Sequence, residues 1–330
     1  MTGDPLLLTR TDVAALLDLE GAIEAVEAAL RLEGEGRARR PALLGFPVAE
    51  GAFHIKAAAL DLSRPYFAAK VNANFSSNPS RFGLPAIQGV VVLCDAGNGE
   101  PLALMDSIQI TILRTGAATA VAARRLARPD ARVATVCGCG AQARSQLRAL
   151  CRVLPIREVF AWDADTEAAG RFAAELSAQL AIRVTPVQDP GPAAASSAVV
   201  VTCTPSRRPY LRREDISPGA FVAAVGADAP EKRELCPGFL GSAKVFVDSL
   251  EQCAAMGELH HALEEGTLTR SEVAAELSEV VAGGKPGRES EDEVLVFDST
   301  GIALEDVAAA VAVYEKAVRL GRGKRIALAK

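Results

Sequence analysis

Three charged residues stand in apolar stretches far apart in the chain: Lys70 inside YFAAKVN, Arg114 between ITIL and TGAATAVAA, and Asp228 just beyond FVAAVG. Lysine and arginine ordinarily sit in water at an edge, and either could do so here. Brought together, the two cations would hold a carboxylate, which arginine grips with two parallel hydrogen bonds. A carboxylate directly beyond an apolar strand is costly unless a cation or a substrate pairs with it, so Asp228 is a candidate acid or base. The second constellation is CGCGAQA, residues 137 to 143, directly after ARVATV. Gly138, Gly140 and Ala143 read G-x-G-x-x-A: a tight turn, a close backbone approach to a pyrophosphate, and a small residue for helix packing. The anion would meet the start of a helix opening with Ala141 and Gln142. Asp163 ends the next strand candidate roughly 20 residues on, where a carboxylate binds both ribose hydroxyls and repels a 2′-phosphate. The pattern favours NAD over NADP.

Cys137 and Cys139 need no metal in this reading, because one ends a buried strand and the other fills the free position between glycines. No second C-x-C or C-x-x-C completes a zinc set. His260 and His261 are adjacent on a helical stretch and should point in different directions at the surface, so no metal site is expected. The remaining candidates lie after later strands: Thr204, Pro205 and Ser206, then Gly226, then Asp298, Ser299 and Thr300. Small hydroxyl residues there suit a nicotinamide ribose and amide, and suit ordinary turns equally well.

These residues need elements to position them. A helix capped by Thr11 or Asp12 should carry Val13, Leu16, Leu17, Ile23, Val26 and Leu30 at helical spacing until Gly34 and Gly36. Strand candidates follow at Phe53 to Ala57, Tyr66 to Asn72 and Gln88 to Cys94. A Gly-Asn-Gly hairpin then returns through Leu102 to Met105, which suggests an antiparallel sheet. After an alanine-rich helix at 107 to 127, strands alternate with helices of ten or more residues, the mark of a doubly wound parallel sheet. The helix from Leu304 to about Arg319 has no strand after it and is expected to return to the first domain. The expected division is 1–118 with 303–330, and 119–302 between them.

A chain of 330 residues, 49% hydrophobic with a formal charge of -5, can bury two cores. It has no basic stripe interleaved with aromatics, so nucleic acid is not an expected partner. No apolar run reaches the roughly 18 residues of a membrane span, and the first residues resemble no secretion signal. Seven scattered cysteines suit a reducing compartment. A cytoplasmic protein is expected.

Taken together, KVN, LPAIQGVVVL, LRTGAATAVAARRLA, CGCGAQA, VTCTPS, VGADAPEKREL and VFDSTG resemble, in order, the ornithine cyclodeaminase and mu-crystallin family. The resemblance implies a homodimer in which a discontinuous α+β domain supplies substrate and dimer contacts and a Rossmann domain supplies NAD. It also implies that Lys70 and Arg114 bind the substrate carboxylate with Arg40 as a third member, that Lys70 takes part in catalysis, and that Asp228 is the catalytic acid or base. Family members share one step, hydride loss from the α-carbon of an amino acid to give an imine. In cyclodeaminases the substrate's terminal amine then attacks, ammonia leaves and the hydride returns. In alanine dehydrogenases water attacks and NADH departs, and ketimine reductases run the reductive half. The segment NPSRFGLP is similar to lysine cyclodeaminases and puts ornithine or a close diamino acid first, with alanine-type dehydrogenation and cyclic imine reduction behind. His54 stands where ornithine cyclodeaminases have a glutamate facing the terminal ammonium, which weakens that choice. Glu231 replaces a usual glycine. The crystallin branch supplies a competing expectation, a cofactor and small-carboxylate binding protein without turnover.

Overall fold

The computed structural model describes residues 4–75 and 77–328, with the side chains of 39–42 outside the description. The chain folds into two compact units, Met1–Arg114 with Ile302–Lys330, and Thr115–Gly301.

In the first unit, Thr9 caps the helix Arg10–Leu16 through a reciprocal bond with Asp12. Asp18 caps a second helix, Leu19–Gly34, by accepting from the Gly21 amide. The apolar spacing runs through both, so the sequence suggests one helix capped at Thr11 or Asp12. A capping aspartate in mid-pattern breaks it in two. The sheet has seven strands, the main ones being Ala38–Val48, Gly51–Asp61, Pro65–Asn74, Ile87–Asp95 and Pro101–Asp106. Their pairing is antiparallel, as expected, but Leu6–Leu8 adds to Pro101–Asp106 in parallel, making the sheet mixed. Strand alternation puts Tyr66, Ala68, Lys70 and Asn72 on the buried face. The helix Ala303–Leu320 covers that face, packing on Gly51–Asp61, Pro65–Asn74 and Leu19–Gly34. Its N-terminal half is buried all round, including Glu305 and Asp306.

In the second unit the strands form one eight-stranded sheet, parallel throughout. Val199–Thr202, Phe221–Ala224 and Leu295–Asp298 are buried on both faces, which explains their unbroken apolar character. The chain runs outward from Val133–Cys137 through Glu158–Trp162 to Arg183–Pro186. It then crosses back to place Val199–Thr202 on the other side of Val133–Cys137. That reversal is the switch point at which doubly wound sheets bind ligands, beyond the carboxyl ends of the strands.

Candidate active site

The CGCGAQA loop leaves the sheet at the switch point. Gly138 has φ +94°, and a Cβ there would stand 2.9 Å from the Cys203 carbonyl oxygen, so the turn and the close passage of the next loop both require glycine. Gly140 starts the helix Ala141–Val153 with no side chain capping it, and a Cβ there would meet nothing within 4 Å. Ala143 is buried under the helix, and Gln142 buries an Oε1 that has no hydrogen-bond partner among the described residues. A cleft of about 430 Å³ opens here, lined by Gly138 to Gly140, Trp162 to Ala164, Cys203 to Ser206 and Tyr210. Asp163 stands at its rim, accepting from the Cys139 amide at 2.7 Å and from the Asp165 amide at 2.9 Å. A rigid carboxylate, uncapped helix amides and two glycines thus surround one cavity, an arrangement suited to a dinucleotide.

Cys139 and Cys203 line this cleft, and burial pushes the Cys139 thiol up to about 12 and the Cys203 thiol well above its ordinary value. They are packing residues rather than nucleophiles. Thr204, Pro205 and Ser206 form its far wall. Gly226 is pressed against a carboxylate that the sequence reading passed over, Glu234, whose Oε2 a Cβ at 226 would approach to 2.3 Å.

Asp298, Ser299 and Thr300 are buried, and none of them lines the cleft. Ser299 and Thr300 donate to Asp248, another acid missed in the sequence. The Asp298 carboxylate turns inward and accepts from the Leu259 amide at 2.8 Å, at the start of the helix Glu258–Glu264. Burial pushes Asp298 up to about 8. The folded chain therefore holds this proton to about pH 8, whereas the unfolded chain releases it near 4. Unfolding releases a proton across that window, so this contribution to stability falls as pH rises from about 4 to 8, at up to roughly 1.4 kcal/mol per pH unit. Asp298→Asn mimics the protonated acid and should nearly match the wild type in urea melts at pH 4 and exceed it at pH 9. Parallel stability profiles would refute this assignment.

Asp228 does not carry the burial penalty expected of it. Its side chain is half-exposed, because the chain turns into solvent after Ala227, and it pairs with Lys232, four residues on in the same loop. Glu231, in the same loop, pairs with Arg207 at 3.2 Å. The histidines also differ from expectation. The His260 and His261 rings lie 5.2 Å apart, and with Glu264 they offer ligand atoms within 4.8 Å of one another. His261 Nε2 is, however, engaged with the Lys232 carbonyl at 2.8 Å, and His260 Nδ1 faces the Ala254 carbonyl.

In the first unit, Lys70 and Arg114 are almost fully buried and meet a common partner. Lys70 Nζ stands 2.7 Å from Asp306 and 3.4 Å from the Thr111 hydroxyl. Arg114 reaches Glu305 at 2.6 Å and Asp306 at 3.1 Å. Burial, reinforced by Arg114 and Lys56 and opposed by Asp306, brings the Lys70 ammonium down to about 7. The Asp306 carboxyl is raised by burial and lowered further by Lys70, Arg114 and Lys56, so it stays ionised. Sequence reasoning missed both acids, since acids in a helix's first turn ordinarily face water and complement the helix dipole. His54 pairs across the sheet with Asn72, and Lys56 with Lys70, so all four lie on one face. The Arg40 side chain lies outside the described residues.

Residues 4–320 match the model of the ornithine cyclodeaminase/mu-crystallin family. The chain belongs to that family. Among family members, it is 39% identical over 324 residues to an alanine dehydrogenase of Archaeoglobus fulgidus, covering 98% of both chains. An archaeal alanine dehydrogenase dimer solved with bound NAD superposes with a TM-score of 0.93 at 38% identity, over 98% of this chain and 99% of that one. A Δ1-pyrroline-2-carboxylate reductase of Thermococcus litoralis, solved with NADH and L-proline, gives 0.92 at 33% identity, over 97% and 100%. The α/β architecture with a Rossmann sheet is that of the family, and no described helix is long and apolar enough to cross a membrane.

Proposed function

We propose that the chain is an NAD-dependent enzyme that oxidises the α-carbon of a small monoamino acid such as alanine, and reduces the matching imino acid in reverse. The observation that carries this reading is the conjunction of the Gly138 turn, the uncapped helix at Ala141 and Asp163 around one cleft. These residues fit NAD: the amides at Ala141 and Gln142 would hold the pyrophosphate, and Asp163 the ribose hydroxyls. When bound, NAD supplies a two-electron acceptor. Thr204 to Ser206 would wall the cofactor, while Gly226, packed behind Thr204 against Glu234, and Asp298, Ser299 and Thr300 would act from behind by fixing the loops that follow their strands. Lys70 and Arg114 hold the substrate carboxylate, and Lys70, brought down to about 7, can exchange a proton near neutral pH. Asp228 receives the proton of the substrate amine.

A diamino acid would bring a second ammonium toward the face that carries His54, Lys56 and Lys70. Like charges there favour alanine-type chemistry over cyclodeamination of ornithine, and the kinship with alanine dehydrogenases supports the same choice. Incubation with NAD and either L-alanine or L-ornithine, following NADH, ammonia and proline together, tests it. NADH rising in step with ammonia, faster on alanine, is expected. Ammonia and proline from ornithine with no net NADH would replace this reading with cyclodeamination, and consumption of NADH by a cyclic imine alone would replace it with reduction.

The proposed enzyme works as a homodimer through the outer face of the first unit's sheet. Leu44, Phe46, Phe53, Phe67, Val90 and Leu104 are exposed there, Phe46 by 60%, on strands that register side by side. So large an apolar face is unusual for a monomer. Light scattering should give twice 34.4 kDa, and Phe46→Glu with Phe67→Glu should halve that mass. A double variant that remains dimeric would move the interface elsewhere.

A further inference from the structure

The segment KREL, residues 232 to 235, passes beneath the cleft and carries an acid with no part in the chemistry above. Leu235 forms a bridge with Leu211, and the Glu234 carbonyl accepts from the Tyr210 amide. The Glu234 amide in turn donates to Glu258 at 2.6 Å. Backbone pairing thus fixes where the Glu234 side chain starts. That side chain is fully buried, and its carboxylate collects donors from three separate places. Its Oε1 accepts from the Thr204 amide at 2.7 Å, the Thr204 hydroxyl at 2.6 Å and the Tyr210 hydroxyl at 2.8 Å. Its Oε2 accepts from the Gly226 amide at 3.0 Å. Burial raises the carboxyl overall, against the bonds from Thr204 and Tyr210, which favour its ionised form.

Thr204 and Tyr210 both line the cleft, and the Tyr210 ring lies against Trp162, centroids 4.7 Å apart, next to Asp163. One buried carboxylate therefore fixes one wall of the cavity and, through Tyr210, an aromatic surface beside the acid that would meet the ribose. We infer that Glu234 is a positioning residue for the dinucleotide, setting cofactor affinity by holding Thr204 and Tyr210 in place without touching the cofactor itself. The inference rests on the proposed reading of the cleft as the NAD site. All four bonds run toward the carboxylate, so an amide in its place must turn its NH2 against at least one donor. Glu234→Gln therefore breaks the arrangement while keeping the volume.

The experiment is a titration of the full chain with NAD, read by the emission of Trp162, the single tryptophan. Wild type should bind one NAD per chain with quenching. Glu234→Gln should raise Kd at least tenfold with unchanged stoichiometry, and Tyr210→Phe and Thr204→Val should each raise it severalfold. A merely structural role would lower the melting temperature or the bound fraction without moving Kd. If Glu234→Gln does not fold, the two hydroxyl-deletion variants decide, and Kd values within twofold of wild type in both would overturn the inference. An unchanged Kd in a folded Glu234→Gln would do so as well. Failure of wild type to bind NAD at millimolar concentration would overturn the reading of the cleft and the inference with it, whereas wild-type binding with insensitive variants would overturn the inference alone.

Discussion

Arg114→Met will destabilise the folded chain by about 3–5 kcal/mol, the cost of breaking a buried ion pair from one side, and lower kcat/KM at least a hundredfold. The guanidinium stands between two buried acids, 2.6 Å from Glu305 and 3.1 Å from Asp306. Removing it takes a cation away from charges that water cannot reach. Methionine fills most of the volume, so the loss is electrostatic and should shrink at low pH as the acids take up protons. Glu305→Gln added to Arg114→Met should recover part of the stability without restoring activity, because the arginine proposed to hold the substrate carboxylate would still be missing. Arg114→Lys should keep most of the stability and lose most of the turnover, since an ammonium cannot serve two acids and a substrate in one plane. Urea melts with steady-state kinetics check this. A stable and inactive Arg114→Met would contradict the structural half of the account, and a stable and active one would contradict both halves.

The second large effect is at Gly138. Gly138→Ala must hold φ near +94° and place a methyl 2.9 Å from the Cys203 carbonyl oxygen. The backbone strain alone costs about 1–3 kcal/mol, and relief of the clash would push the Thr204 loop out of line. NAD affinity should fall at least a hundredfold, together with the melting temperature. Gly140→Ala separates the two causes, because that position has ordinary φ and nothing within 4 Å of the added carbon. It should melt with wild type and still bind NAD more weakly, because the proposed site brings the cofactor's diphosphate to this position. Equal NAD affinity in wild type and both variants, by calorimetry, would remove the cofactor from this loop.

The parallel sheet was legible because its strands are uninterrupted apolar runs separated by long amphipathic helices, and because the glycines follow the strand Val133–Cys137 directly. The strand Ala38–Val48 was not legible. It carries Pro41 and Pro47, which argue against a strand anywhere but an edge, and an edge is where it lies. Leu6–Leu8 was hidden because three residues hold no period; its pairing with Pro101–Asp106 is a long-range event. At the candidate site the cations were visible as charges in apolar surroundings, but their partners were not. Glu305 and Asp306 look like an ordinary helix start until the sheet covers them. Asp248 and Glu234 become recognisable only when Ser299, Thr300 and Thr204 arrive from distant parts of the chain. Asp228 shows the opposite case, where an apolar strand before an acid suggested burial and one further residue of chain carries it into solvent.

The central claim is that an α-carbon hydride of an amino acid is exchanged with NAD. L-Alanine and L-ornithine labelled with deuterium at the α-carbon test it, by mass spectrometry of cofactor, product and solvent after incubation with the purified protein and NAD. The account predicts that alanine delivers its deuterium to the reduced nicotinamide ring, one label per NADH formed. Any proline formed from ornithine would retain its label at the α-carbon, which would change the net reaction and leave the hydride step standing. Label released to water while product forms, with none on the cofactor or on the α-carbon of the product, would contradict it.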